Sequence, residues 1–415
     1  MTLPIKTLPI VERWECTGCG KCCRGNIVPL DDDDLKTFRK QQWDKHPDFR
    51  GKRTLVKRSL FGSSYRLAQH KDGTCVFLNE DGLCQIHKEF GFENKPLVCQ
   101  MYPLQIVPAG DTAYLTLRRS CPTAAAEQGR TMDEHQKEAR RFVNQRPKLA
   151  ERVAPPQITR GHRRSWKETL IVTAAIERLM TNQSFPLIRR LVHGLRFCSL
   201  LEQCRLQRLE AKQLNELVTV LAESASEQSS DLFRECQQPN RAARLIFRQI
   251  VLNYLRLHPL CITEESWQER WRMAWVALRF ASARDSVPEI HPDFPEATFK
   301  QLEEPLGHMS DEIQRPFTSY FEANAVSKQY AIVSRPNWSI IEKFRALAVT
   351  YPVALWMTRY FKDKTGSLHT IAIDMVTTMD RGQGHKPLTN SLHRRRVFSL
   401  AHHEQLERLA IWYAR

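Results

Sequence analysis

Eight of the twelve cysteines fall within the first 121 residues, and four of those lie within eight positions: Cys16, Cys19, Cys22 and Cys23. The others are Cys75, Cys84, Cys99 and Cys121. No other feature restricts the fold as much. Thiols this close in sequence are poorly placed to pair with one another. Pairing with the later four requires an oxidising compartment. Met1 to Cys16 has no basic-then-apolar layout and no small-residue cleavage site, so no secretory signal is expected. A reducing, cytoplasmic setting with metal-bound thiolates is the favoured reading. Gly18, Gly20 and Gly25 relieve backbone crowding between the first sulfurs, and successive N–H groups there can face an anionic sulfur core. Lys21 and Arg24 offset some of the thiolate charge. The adjacent Cys22 and Cys23 face different ways, which leaves room for one site with a spare thiol or for two sites.

Two metals suit such donors. Cys16-x2-Cys19-x2-Cys22 matches the start of the bacterial ferredoxin pattern, and Cys121 precedes Pro122 as that pattern's last ligand precedes a proline. Zinc takes four cysteines, or three and a histidine, and Cys84-x2-His87 could supply a pair. Three close cysteines, rather than two distant knuckles, favour a 4Fe-4S iron–sulfur cluster, with zinc as the alternative. His87 itself reads better as an ordinary surface histidine. Cys198, Cys204, Cys236 and Cys261 sit singly in apolar, helix-like surroundings and read as small buried hydrophobes.

The chain divides into residues 1–125, rich in Gly, Pro and Cys, and residues 126–415, with helical periodicity. The expected fold class is mainly α: a small irregular Cys-rich metal-binding N-terminal domain plus a larger all-helical domain. Within residues 1–125, Asp31–Gln42 is expected as a helix with an acidic first turn. A short helix is expected between Cys84 and Phe90, and strands at Tyr65–Ala68 and Tyr114–Leu117. Metal ligation would replace some of the missing core. Beyond residue 125, helices are expected from Asp133–Gln145 through Trp166–Thr181, Ser266–Ala283 and Pro352–Lys362 to a final Arg394–Tyr413. Thr263-Glu-Glu-Ser266 carries helix-start signals. Trp267, Trp271 and Trp275 recur at every fourth residue, a spacing that packs a core; an aromatic cage for a lysine or sulfonium is the alternative. Tyr351, Trp356 and Tyr360 read the same way. Gly382-Gln-Gly384 reads as a flexible turn.

A net charge of +16 is spread along the chain. No nucleic-acid-binding signature accompanies it, so no nucleic-acid partner is expected. The longest apolar stretch, Ala346–Met357, is too short to span a bilayer. There is no G-x-G-x-x-G, no P-loop and no H-E-x-x-H, so a Rossmann-type cofactor fold is not expected.

The combined pattern resembles a known family. Its segments are Cys16-Thr-Gly-Cys19-Gly-Lys-Cys22-Cys23, Asp72-Gly-Thr-Cys75-Val-Phe-Leu78, Asp81-Gly-Leu-Cys84-Gln-Ile-His87 and Lys95-Pro-Leu-Val-Cys99-Gln-Met-Tyr102-Pro103. It is similar to the zinc- or iron-chelating cysteine-cluster family, a domain that flagellin lysine-N-methylases also carry. The resemblance covers residues 12–122. It implies that Cys16, Cys19, Cys22, Cys23, Cys75, Cys84, Cys99 and Cys121 are metal ligands. Length and a helical second half resemble the flagellin branch, which implies methyl transfer from S-adenosylmethionine to a protein lysine beside an iron–sulfur centre. The rival expectation is a non-catalytic zinc- or iron-binding module with a helical interaction domain. A redox protein ranks third. The catalytic base and the oligomeric state are not legible.

Overall fold

Among the described residues every strand lies before residue 164, and helices fill the chain beyond. The computed structural model describes residues 2–58, 64–258, 261, 267–333, 335, 337–363, 366–384 and 388–415. The molecule is mainly α, with a small strand-bearing N-terminal region and a larger helical region. Strands β1 (Ile5–Thr7), β2 (Arg13–Trp14), β3 (Pro29–Leu30), β4 (Leu55–Lys57), β5 (Tyr65–Leu67), β6 (Leu104–Ala109) and β7 (Thr112–Leu117) precede the helical region, with the helices α1 (Asp32–Lys40), α2 (Gln85–Phe90) and α3 (Leu97–Met101) among them.

Two three-stranded sheets organise the N-terminal region. One has the order β1-β7-β6, with β1 parallel and β6 antiparallel to β7. The other has β5 between β3 and β4, all antiparallel. Both expected strands form, but β7 begins two residues before Tyr114 and its hairpin partner β6 was not expected. β6 contains Pro108 and lies at the sheet edge, where a missing N–H is tolerated. The acidic run starts α1 as expected: the Asp31 side chain accepts from the Asp33 and Asp34 backbone N–H groups at 3.0 and 2.8 Å.

The sheets pack separate cores. Ile106, Leu115, Leu117, Phe142 and neighbours form one cluster. Phe38, Trp43, Phe49, Phe77 and Ile86 form a second, against which Cys23, Cys84 and Cys99 pack. A far larger cluster joins the helices from Val172 to Tyr413. Tyr351, Trp356 and Tyr360 are buried in it, as their spacing suggested. Cys198 is fully buried there, and Cys204, Cys236 and Cys261 are half-buried.

Four expectations need correction or placement. The helix expected over Ser266–Ala283 is present as Trp267–Ser282, but its tryptophan stripe does not pack a core: Trp267, Trp271 and Trp275 are 71%, 63% and 54% exposed. Val276 and Phe280, on the opposite face, supply the packing instead. The final helix is two, Ser391–Ala401 and Gln405–Tyr413, because His403 and Glu404 take φ of 52° and 58° between them. Gly382 is the buried last residue of the helix Leu368–Gly382 rather than a flexible turn; a side-chain carbon there would strike the Tyr254 ring. The start signals at Thr263–Ser266 lie outside the described residues. No helix among the described residues is long and apolar enough to cross a membrane.

The helix Leu368–Gly382 abuts the cysteine-rich region. Buried Asp380 accepts from Arg118 Nε at 2.9 Å and from the Ser120 backbone N–H at 2.8 Å. One turn and a half earlier, Asp374 lies 3.9 Å from Lys21 Nζ.

Candidate metal centre

Short-range turns bring the thiols together. Gly20 takes φ 64° and is followed by a single turn over Lys21–Cys23, closed by Cys23 N–H donating to Gly20 at 3.0 Å. Any side chain at Gly20 would meet the Gly82 carbonyl, so glycine is required both for its backbone angle and for the close approach of the Cys84 turn. Cys75 N–H donates to the Cys23 carbonyl at 2.8 Å, which ties the second cysteine segment to the first. The Asp72 carboxylate fixes the turn before it, accepting from Thr74 N–H at 2.9 Å. A tight turn at Asn79–Gly82 then reverses the chain, and Leu78 bridges to Cys84. Cys84 occupies the N-cap position of α2. Cys99 rides on α3, whose first turn is held by Asp34 of α1: its Oδ1 accepts from Leu97 N–H at 3.0 Å.

Cys22, Cys23, Cys75, Cys84 and Cys99 all line one cavity of about 800 Å³. The Cys22 and Cys23 sulfurs are 4.0 Å apart. Burial pushes the Cys75 thiol up to about 11, with the neighbouring Cys84 and Cys22 adding to the shift and Lys95 opposing it. Burial raises Cys99 further, and Lys95 again is the opposing cation. The contact with Cys23, then burial, holds the Cys22 thiol far above its ordinary range. The charges of Cys22, Cys75, Cys84 and Cys99 thus act on one another across the cavity. A bound cation inverts this charge logic, because it stabilises the thiolates that burial disfavours. The five thiols are soft donors of the kind zinc and iron take, and Asp31 and Asp34 line the same cavity. No three Cys, His, Asp or Glu side chains among the described residues are grouped tightly enough to hold a single ion.

The remaining three cysteines stand elsewhere. Cys16 and Cys19 are exposed on the loop that leads into the turn, and neither lines the cavity. Cys121 is buried in the β6–β7 cluster, with its sulfur 3.1 Å from the Thr123 hydroxyl. His87 is exposed and meets the edge of Phe92. All twelve cysteines are free thiols.

Sequence reasoning named Lys21 and Arg24 as the cations and missed Lys95, Arg381 and the far wall. Lys95 is the positive group that three of the cavity thiols feel; the Lys-Pro before Cys99 was its only trace. Arg381, from the helix Leu368–Gly382, lies close enough for Cys22, Tyr102 and Asp374 to act on its charge. Arg118, Ser120 and Tyr102 line the cavity away from the thiols, with Tyr102 Oη donating to Ser120 Oγ at 3.1 Å. Ile27, Leu67, Leu97 and Leu104 make the rest of the wall largely apolar.

Comparison with known proteins agrees with this geometry. No solved structure matches the chain. An uncharacterised protein of Methanocaldococcus jannaschii is 30% identical over 114 residues, which is 26% of this chain and 36% of that relative. The chain thus spans about a third of the length of the curated relative it matches. Residues 15–122 match the CxxCxxCC family model, described as a "Putative zinc- or iron-chelating domain". That segment contains the five cavity thiols and also Cys16, Cys19 and Cys121, and zinc or iron chelation is the property that the match assigns to this stretch of the chain.

Proposed function

We propose that the cavity thiols hold a 4Fe-4S cluster beside a half-open space that binds a small molecule. The observation that carries this reading is the size of the cavity into which the five sulfurs face, about 800 Å³. Four thiolates on one zinc stand roughly 3.8 Å apart, given Zn–S bonds near 2.3 Å. A structural zinc site is also closed. Donors spread around a larger space suit a multi-iron centre, which thiolates grip at its corners. Five thiols supply four corners and one spare.

The space next to the centre suits the activity that the flagellin-methylase resemblance implies: methyl transfer from S-adenosylmethionine to a protein lysine. The acceptor amine must be neutral, and an apolar wall such as Leu67, Leu97 and Leu104 lowers a lysine's proton affinity by desolvation. Donor and acceptor must meet in line, so positioning supplies much of the catalysis. Burial holds the Tyr102 phenol above its ordinary range, so it serves as a hydrogen-bond donor rather than a base. In this reading residues 1–125 are the metal domain, residues 126–415 present the acceptor, and the protein works in the reducing cytoplasm.

The 4.0 Å between Cys22 and Cys23 favours a second reading, zinc in a non-catalytic module. Anaerobic purification with iron, sulfide and zinc analysis, Mössbauer spectroscopy and calorimetry with S-adenosylmethionine separates the two. Brown protein with about four irons per chain and saturable donor binding is expected. Colourless protein with stoichiometric zinc overturns the cluster. Cluster-replete protein that does not bind the donor overturns the methyl transfer.

A further inference from the structure

The helix Trp267–Ser282 carries the most conspicuous unpartnered apolar surface of the molecule. Trp267, Trp271, Trp275 and Leu278 are each more than half exposed, at 71%, 63%, 54% and 73%. At about 100° per residue they fall within an arc of about 80°, and exposed Ala274 sits at its margin. The helix is not loose on its other side. Val276 and Phe280 are buried, and Arg272 is anchored by donating to the backbone carbonyls of Glu289 and Ile290 at 3.1 Å each. The rings are ordered against one another, with the Trp267 and Trp271 centroids 5.9 Å apart and Arg279 5.1 Å over Trp275.

We infer that this stripe is a self-association surface, and that its partner is the same helix of a second copy in a two-fold dimer. Three observations favour that occupant. The first is area. At up to about 250 Å² per tryptophan, the three rings leave roughly 450 Å² uncovered, about 900 Å² across the pair, which is the size of a weak, concentration-dependent interface. The second is self-complementarity. A two-fold axis between residues 272 and 273 sets Trp267 against Leu278 of the second copy and Trp271 against Ala274, large against small, as an isologous interface requires. The third is charge. Arg272, Arg279 and Glu289 line one groove beside Trp275, so the groove is net positive but carries a carboxylate that an arginine of a like copy can meet. The inference stands apart from the metal reading and does not depend on it.

Sedimentation velocity of the full-length, metal-loaded protein tests it. The expected result is a concentration-dependent species of twice the 48.4 kDa chain, tighter at about 500 mM than at about 50 mM salt, because salt screens the repulsion between two chains of charge +16. Trp271→Arg should raise the dimer dissociation constant at least about 30-fold. Ala274→Glu, at an exposed position that folding does not use, should do the same. Val220→Arg, on another exposed surface, should not. A chain that stays monomeric at high concentration and high salt overturns the inference. So does a dimer indifferent to both stripe variants. A monomer that binds phosphatidylglycerol vesicles, loses them on Trp271→Arg and releases them in salt assigns the stripe to a membrane and overturns it too.

Discussion

The cysteine-rich region and the helical region solve the same problem with different means. Among the helices a single apolar cluster runs from Val172 to Tyr413, and Trp356, Phe247 and Tyr254 have essentially no exposure. The loss of any one contact there is shared by many neighbours. Around the thiols only a small aromatic cluster, Phe38, Trp43, Phe49 and Phe77, backs the site. The segments are joined by short turns and a few backbone bonds, such as Cys75 N–H to Cys23 and Gly25 N–H to Gly73. If the thiols hold a metal, ligation adds to these small cores, and chain order around the thiols is expected to depend on it. Burial stabilises by increments, and ligation stabilises all at once.

The largest test of this contrast is metal removal. For structural zinc in small domains the bound ion contributes on the order of 10 kcal/mol. Chelation under anaerobic conditions is expected to expose the amides of residues 16–101 to hydrogen exchange and leave those of the Trp166–Met180 and Thr350–Phe361 helices protected. One common melting transition before and after chelation would break the comparison. The reverse test is Trp356→Ala. Emptying that fully buried site should cost about 3–5 kcal/mol in the main thermal transition without altering metal content.

Asp380 sits where the regions meet. Removing it leaves Arg118 and the Ser120 N–H without their shared acceptor. Asp380→Ala should cost about 2–4 kcal/mol and, more tellingly, should separate the melting of the two regions. If calorimetry shows the same coupling in the variant, the contact does not join them.

Much of the metal region was legible because its signals are local. Glycine at a positive φ, Asp at a turn, Asp31 at a helix start and Cys84 before a helix each act within a few residues. The far wall of the cavity was not. Arg118 and Asp380 are 262 positions apart, and nothing local in either segment announces the other. The tryptophan stripe failed for a related reason. A four-residue period says which side chains share a face but not which face is covered. Here both faces of the helix are apolar, and the core took the one bearing Val276 and Phe280.

A smaller effect tests the helical region alone. Glu407 is buried with one carboxylate oxygen unpartnered, and burial pushes its pKa up to about 7 from 4.5. Between those values the folded chain keeps a proton that the unfolded chain has released, so stability falls as pH rises through that window and stays low above it. Glu407→Gln should remove the slope and raise stability at pH 8 by about 1–3 kcal/mol, with little change at pH 4. Equal effects at both pH values would assign the gain to packing instead.

The sharpest test of the site compares thiols inside and outside the cavity. If the cavity defines the ligand set, thiols outside it are dispensable. Cys16 and Cys19 are exposed and line none of it, whereas Cys75 and Cys99 are held inside by a backbone bond and a capped helix. Cys75→Ser or Cys99→Ser should therefore abolish stoichiometric metal binding, while Cys16→Ser and Cys19→Ser should keep most of it. The spacing of the first cysteine run argues the opposite, because it makes Cys16 and Cys19 the opening ligands of a cluster. Metal content measured on the four purified variants decides between the two. Loss in Cys19→Ser would mean that the loop carrying Cys16 and Cys19 folds inward over the centre when metal binds.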